Sequence, residues 1–213
     1  MLKKRFFVKA LRASGMLPEK AKILDFGAGS GLLVRFLRDE GFDAFGYDKY
    51  SETPFCKNVS FKNVVSIADK KFDLIIALEV TEHLLRPQET LKQLVSLLSK
   101  KGIVFLSTTC YDKDVHDENW DYLISQGGQH INFASQEGLR ILANSQNLST
   151  MFMPHEISLL CREKSQASKL SMYKSLFFYR LYIVVAKFLG LLNFKNCEND
   201  NQLIYETIVK DYK

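Results

Sequence analysis

The chain alternates short apolar runs with stretches in which apolar residues recur every three or four positions. Lys22-Ile-Leu-Asp-Phe26 is a brief apolar run closed by glycines, the pattern of a parallel strand buried on both faces. Leu32, Leu33, Phe36 and Leu37 then recur at helical spacing until Gly41 stops the helix. Ala44-Phe-Gly-Tyr-Asp48 predicts a second strand, residues 58–67 a weak third and Phe72-Asp-Leu-Ile-Ile-Ala-Leu78 a strong fourth. From Pro87 to Ser99 the spacing predicts a helix with Leu91, Leu94, Val95 and Leu98 inward, and Gly102 to Ser107 a fifth strand. Strands and helices alternating at these lengths predict an α/β fold, a doubly wound and mostly parallel sheet with helices on both faces.

The connection from Thr108 to about Phe133 is long for a link inside a compact domain and predicts a lid or binding loop. Helical spacing resumes from Ser135 to Gln146, followed by strand-like pieces near 148–153 and 156–162. Residues 3–14 predict a short basic helix; Lys9 and Arg12 break its apolar run too early for a signal peptide. The pattern divides the chain into a domain over 1–163 and a basic, aromatic, mainly helical extension over 164–213.

Composition adds little to this division, but charge adds something. The 213 residues are 46% hydrophobic, enough for one good core with appendages. Residues 1–22 carry seven basic side chains against one acidic, residues 23–161 thirteen against eighteen, and residues 162–195 seven against one. A mildly acidic body thus has two basic flanks, read first as solvated faces and second as surfaces for phosphate or anionic lipid. Leu176 to Leu192 is the most apolar stretch, but Arg180 and Lys187 interrupt it and it is marginal for crossing a bilayer. Packing on the domain or on a second subunit through residues 165–195 is the favoured reading, and peripheral membrane contact the other. Cys56, Cys110, Cys161 and Cys197 lie far apart, which excludes a Cys-x-x-Cys zinc or redox motif and fits a reducing, cytoplasmic setting.

The candidate chemistry begins with Asp25-Phe-Gly-Ala-Gly-Ser-Gly31, between a strand and a helix. Glycines there let the backbone turn and approach a ligand closely, while the helix start offers unpaired N–H groups. Several nucleotide-binding folds use such a loop. Leu32 stands where a dinucleotide fingerprint has its third glycine, which counts against a nicotinamide oxidoreductase. Asp48 ends the second strand, where a carboxylate accepts both hydroxyls of a ribose; capping a turn is its other reading.

Taken together, these residues resemble the class I S-adenosylmethionine (SAM)-dependent methyltransferases. Ile23 to Gly31 resembles that family's first motif, Gly46-Tyr-Asp48 its second, Phe72 to His83 its strand-four signature and His130-Ile-Asn-Phe-Ala-Ser135 a segment after strand five. The resemblance spans about residues 20–162. It implies a Rossmann-like, seven-stranded sheet whose last strand is antiparallel, with SAM as cofactor. It also implies that Asp25, Gly27, Ala28, Gly29, Gly31, Asp48, Lys49, Leu78 and Glu79 line the cofactor. Asp69 is the nearest acidic candidate for the adenine amine that the family often holds with such a residue.

Glu79, Glu82 and His83 fall at i, i+3 and i+4, so a helical turn after the fourth strand would place them on one face. A packing role, a general base and a metal ligand compete for the histidines. His130, from the lid-like connection, is the expected base, with His83 the second catalytic candidate. The Glu-x-x-Glu-His pattern with a later His is similar to that of metal-dependent small-RNA 3′-terminal 2′-O-methyltransferases. It also occurs in methyltransferases not known to use metal, and no metal ligand is assigned. Strand four continues with Glu79-Val80 and lacks the Asn/Asp-Pro-Pro-aromatic clamp of base N-methylating enzymes. The expected acceptor is therefore a hydroxyl of a small molecule or glycan, and nucleic acid is not expected as a partner. Trp120 and Tyr122 are candidate stacking surfaces for that acceptor. Together with Gly127-Gly-Gln-His130 and the basic tail, they resemble methyltransferases associated with bacterial surface polysaccharides. A noncatalytic cofactor-binding module is a third class, disfavoured by the intact glycine loop.

Overall fold

Each predicted apolar run becomes a strand, and parallel neighbours are joined by crossovers as their geometry demands. The computed structural model describes residues 8–9, 11–12, 15–124, 127, 129–153 and 157–162, all within the compact unit Met1–Ala167. In chain order the elements are β1 (Lys22–Phe26), α1 (Leu32–Asp39), β2 (Asp43–Tyr47), β3 (Ser60–Phe61), β4 (Phe72–Leu78), α2 (Pro87–Leu97), β5 (Leu98–Ser107), α3 (Gln136–Asn144), β6 (Ser149–Met153) and β7 (Ile157–Cys161). The sheet order is β3-β2-β1-β4-β5-β7-β6. Pairs from β3 through β5 are parallel, and β7 runs antiparallel to both β5 and β6. This is the seven-stranded, Rossmann-like class I methyltransferase sheet that the resemblance implied.

Strand register shows why both faces must be covered. Leu24, Ile75, Val104 and Leu160 form one row across four strands. They join Leu91, Leu94 and Leu97 of α2 and Ala143 of α3 in one buried cluster. Side chains alternate along a strand, so Asp25, Ile76, Phe105 and Leu159 form the next row on the opposite face. Gly46 pairs with Asp25 and therefore lies on that second face. A Cβ there would stand 3.4 Å from Val34 Cγ2, which puts α1 on the side away from α2 and α3. The double winding is thus legible in packing as well as in strand order.

Several boundaries differ from the pattern. The second strand stops at Tyr47, leaving Asp48 just beyond it. The helix ends at Leu97, and the fifth strand starts at Leu98 and not at Gly102. Phe72 pairs with Leu98 but Leu74 with Ile103, so the chain between them bulges past the start of β4. Gly102 permits this close pass, because a Cβ would meet the Phe72 carbonyl oxygen at 2.8 Å. Of the N-terminal helix, Val8, Lys9, Leu11 and Arg12 are helical, and Val8 and Leu11 are buried. Two of its cations are used internally: Lys9 pairs with Glu40 at 3.0 Å and Arg12 lies over the Phe42 ring. The extension over 164–213, with its expected helix, subunit and membrane contacts, lies outside the described residues. Among the described residues no helix is long and apolar enough to cross a membrane.

One feature of the second face is costly. Asp25 is buried in the row with Ile76, Phe105 and Leu159, and burial pushes its carboxyl from the ordinary 3.8 up to about 7, with the nearby Asp48 charge adding to the shift. A raised acid binds more protons when folded, so its contribution is fully present below about pH 3.8 and is lost as pH rises through 7. At about 1.4 kcal/mol per pH unit this is on the order of 4 kcal/mol. Asp25→Asn should therefore raise the melting temperature at pH 8 and flatten the fall in stability between pH 4 and 7. Melting curves across that range check it, and an unchanged slope would reject the assignment to Asp25.

Candidate active site

β1 hydrogen-bonds β2 on one side and β4 on the other, so the winding reverses beside it and opens a crevice at the carboxyl ends of these strands. The glycine loop and the acid–histidine turn both emerge there. In the loop, Gly27 N–H and Ala28 N–H donate to the Tyr47 carbonyl, tying it to the end of β2. The glycines then do different work. A Cβ at Gly27 would meet Val80 Cγ2 at 2.6 Å, and one at Gly31 would meet Cys56 Sγ at 2.3 Å, so both are packing requirements. Gly29 has φ of 54° and a Cβ there would face open space. Its N–H donates to Asp48 Oδ2 at 2.8 Å.

Asp48 is buried and caps the following turn as well, its Oδ1 accepting from Tyr50 N–H at 2.8 Å and Ser51 N–H at 2.7 Å. Three N–H groups thus fill about three of the four acceptor positions of a carboxylate. The capping role thus leaves about one acceptor position. Lys49 is exposed, its ammonium 5.2 Å from the Tyr50 ring, and Leu78 ends β4 opposite Ser107. Asp69 is exposed beyond the short turn Val64–Ile67.

After β4 the expected helical turn starts later than the spacing implied. Glu79 takes φ of 51°, a left-handed conformation that a non-glycine residue adopts only under constraint from its surroundings. The constraint is β5: Glu79 N–H donates to the Ser107 carbonyl at 2.8 Å, and Ser107 Oγ donates to Glu79 Oε1 at 2.6 Å. The turn itself is Thr81–His83. Glu79 is exposed, whereas Glu82 has no solvent exposure at all. Glu82 Oε2 accepts from Thr81 Oγ1 at 3.3 Å and Thr108 Oγ1 at 3.2 Å, and Oε1 from the Tyr122 hydroxyl at 2.7 Å. That hydroxyl also lies 3.2 Å from Glu79 Oε2. Burial holds the Tyr122 phenol well above its usual range, and the bond to Glu82 adds to this against an opposing contribution from Thr108.

The long connection docks onto this turn. Ile131 N–H and Asn132 N–H both donate to the Glu82 carbonyl, and Asn132 Nδ2 donates to the Thr81 carbonyl. His83 Nδ1 is 2.9 Å from the Gln129 carbonyl and His130 Nδ1 is 2.6 Å from the Tyr122 carbonyl. A carbonyl oxygen only accepts, so each ring carries a proton on Nδ1, and in the neutral imidazole Nε2 is then the acceptor. The two rings meet edge to face, 4.8 Å apart. Among the described residues, Glu82, His83 and His130 form a group whose ligand atoms all lie within 4.8 Å of one another. The tertiary fold therefore assembles from two distant segments what the sequence only hinted at.

Trp120 stacks on His116 with centroids 4.1 Å apart, and packs against Tyr111, Tyr122 and Phe133. Tyr122, expected as a stacking surface, points its hydroxyl at the carboxylate pair and packs its ring 4.5 Å from His130. Sequence reasoning missed Ser107 and Thr108 as partners of the two glutamates. The signal was a Ser-Thr pair ending a strand that pairs in parallel with the strand carrying Glu79.

Residues 2–151 match the methyltransferase-domain family. The chain is 32% identical over 99 residues to a ubiquinone biosynthesis O-methyltransferase of Rickettsia bellii (strain OSU 85-389), covering 41% of each chain. It is 30% identical over 103 residues to the protein of the same name from Bartonella quintana (strain Toulouse), covering 42% of each. The chain thus matches about two fifths of the length of these curated relatives. Among solved structures it resembles magnesium protoporphyrin IX methyltransferase of Synechocystis PCC 6803 with bound SAH (TM-score 0.54, 19% identity, 73% of this chain and 80% of that one). It also resembles a SAM-dependent methyltransferase of Archaeoglobus fulgidus (TM-score 0.53, 18% identity, 67% of each). At these identities the structural likeness is one of fold. With the family match running through the glycine loop, the acid–histidine turn and the docked connection, the chain belongs to the SAM-dependent class I methyltransferase family.

Proposed function

We propose that this chain moves the methyl group of SAM to a hydroxyl of a small-molecule or glycan acceptor, with His130 as the group that takes the hydroxyl proton. The observation that carries this is the contact of His130 Nδ1 with the Tyr122 carbonyl, which in the neutral ring leaves Nε2 as the proton acceptor, beside the buried Glu82. The O-methyltransferase names of the curated relatives support a hydroxyl acceptor.

The loop fits the cofactor on its own terms. Gly29 turns toward open space where the other two loop glycines face protein, which leaves room for a ligand to approach the backbone. In this reading Asp25, Gly27, Ala28, Gly29 and Gly31 form the methionine side of the pocket, the remaining acceptor position of Asp48 receives ribose, and Lys49, Leu78 and Glu79 complete its wall. Bound SAM supplies a methyl group on a cationic sulfonium, with a neutral thioether as leaving group. The protein's remaining tasks are to hold an acceptor oxygen in line, exclude water and accept one proton. His130 Nε2 has the right tautomer for the last of these, and His83 stands beside it.

A second reading is favoured by the grouping of Glu82, His83 and His130. Ligating histidines characteristically give their other N–H to a backbone carbonyl, as both rings do here. One carboxylate and two imidazoles suit a divalent transition cation, which would polarise the acceptor hydroxyl. His130 would then be a ligand rather than the base, although the sequence had assigned no metal.

Three measurements bear on these readings. Asp48→Asn should weaken SAH binding by roughly 10- to 100-fold in calorimetry, the value of a charge-assisted hydrogen bond; unchanged affinity would remove Asp48 from the ribose. In a methyl-transfer screen over hydroxylated small molecules and glycans, His130→Ala should lower kcat by about 10²- to 10⁴-fold while SAH affinity stays within two-fold. Unimpaired turnover in that variant would end the role of His130. On the second reading exhaustive EDTA treatment should reduce turnover and Mn²⁺ restore it; insensitivity to both would leave His130 as a metal-free base.

A further inference from the structure

We infer that Tyr122 is a positioning residue, which sets the Glu82 carboxylate and the His130 imidazole in one geometry from a single side chain. The inference rests on the reading of Glu82 and His130 as acceptor-site groups and assigns Tyr122 a role distinct from acceptor stacking.

Tyr122 is joined to both groups at once. Its hydroxyl donates to Glu82 Oε1 at 2.7 Å, while its own backbone carbonyl receives the Nδ1 proton of His130 at 2.6 Å. Its ring fills the space between them, 4.5 Å from the imidazole. On the far side, Thr109 N–H donates to the phenolic oxygen at 3.4 Å, and Thr108 Oγ1 lies 3.3 Å from it. The hydroxyl is thereby fixed relative to the end of β5, and Glu79 Oε2 at 3.2 Å brings the end of β4 into the same contact. Residue 122 also has ring contacts with Trp120 and Phe133, at 5.2 and 6.5 Å between centroids. It belongs to a three-residue turn, Asp121–Leu123, and Ile124 follows in a left-handed conformation. A carbonyl on so short a turn holds an imidazole in one tautomer only if the turn is pinned, and the phenol–carboxylate bond is the pin.

The consequence is separable from simple packing. Tyr122→Phe keeps the ring and the backbone carbonyl and removes only the hydroxyl. Long-range ¹H–¹⁵N spectra of the imidazoles at pH 8 read the tautomer directly, with no acceptor or metal present. The wild-type protein should show His130 protonated on Nδ1 alone. Tyr122→Phe should show a mixture of tautomers and a lower melting temperature, because Glu82 loses a buried donor, with SAH affinity within two-fold of wild type. Tyr111→Phe, which alters another ring of the same loop, should keep the wild-type spectrum. An Nε2-protonated His130 in the wild-type protein would overturn the inference whether or not the variant folds, as would a variant with the wild-type tautomer.

Titration with Mn²⁺ alone, followed by loss of the free-ion electron paramagnetic resonance signal, gives a second readout. Tyr122→Phe should weaken binding by about 10- to 100-fold, as loss of an outer-shell partner does. Combining it with Glu82→Gln should cost no more than Glu82→Gln alone, because the hydroxyl acts through that carboxylate. Additive losses would overturn the inference. Failure of wild-type protein to bind Mn²⁺ would instead end the metal reading of the site, with the tautomer spectra still deciding the role of Tyr122.

Discussion

The Glu82 carboxylate has no contact with solvent, and much of the site is arranged around that fact. A buried carboxylate is tolerated only when its lone pairs are met, since an unsatisfied one would neutralise or unfold the region. Here the partners are hydroxyls from three separate places: Thr81 in the turn, Thr108 at the end of β5 and Tyr122 in the long connection. The backbone of the same residue accepts the Ile131 and Asn132 N–H groups. Satisfying one residue thereby closes the connection over the sheet edge and delivers His130 to it.

That arrangement couples the two halves of the site. Val80, two residues before Glu82, supplies the methyl group against which Gly27 packs, so the turn and the glycine loop share a wall. On the other side of the loop, Cys56 packs against Gly31, and burial pushes its thiol above the ordinary range. Such a thiol is a poor nucleophile and acts here as a small apolar filler. The loop is thus held from both flanks, and Gly29 between them turns toward open space.

Several features of this protein were legible in the residues. Runs such as Phe72–Leu78 are buried on both faces and could only be central parallel strands, so β4 matched its expected bounds. Asp48 was legible both as a turn cap and as a candidate ribose partner, and the structure shows the cap. Boundaries near the sheet's amino edge were less legible, because the bulge at Leu98–Gly102 depends on how β4 starts and not on local pattern. The i, i+3, i+4 spacing from Glu79 to His83 suggested one helical face. Glu79 instead bonds across to Ser107, which forces a left-handed residue between strand and turn.

Tyr122 shows the limit of sequence reading most clearly. An aromatic side chain in a long connection is legible as a surface for a ligand, since its ring is apolar and its tip polar. Whether its hydroxyl meets an acceptor or a buried carboxylate depends on which strand ends stand opposite, and that is set by sheet order. The sequence by itself determined the α/β winding and the glycine loop with its acidic partner, because these rest on local periodicity and on residues close in the chain, while the cofactor class came from the resemblance of its motifs to a family. Only the tertiary structure decided that Glu82 is buried, that His83 and His130 meet beside it and that Tyr122 contacts both Glu82 and His130. These depend on contacts between residues some forty to fifty positions apart, whose geometry no local pattern encodes.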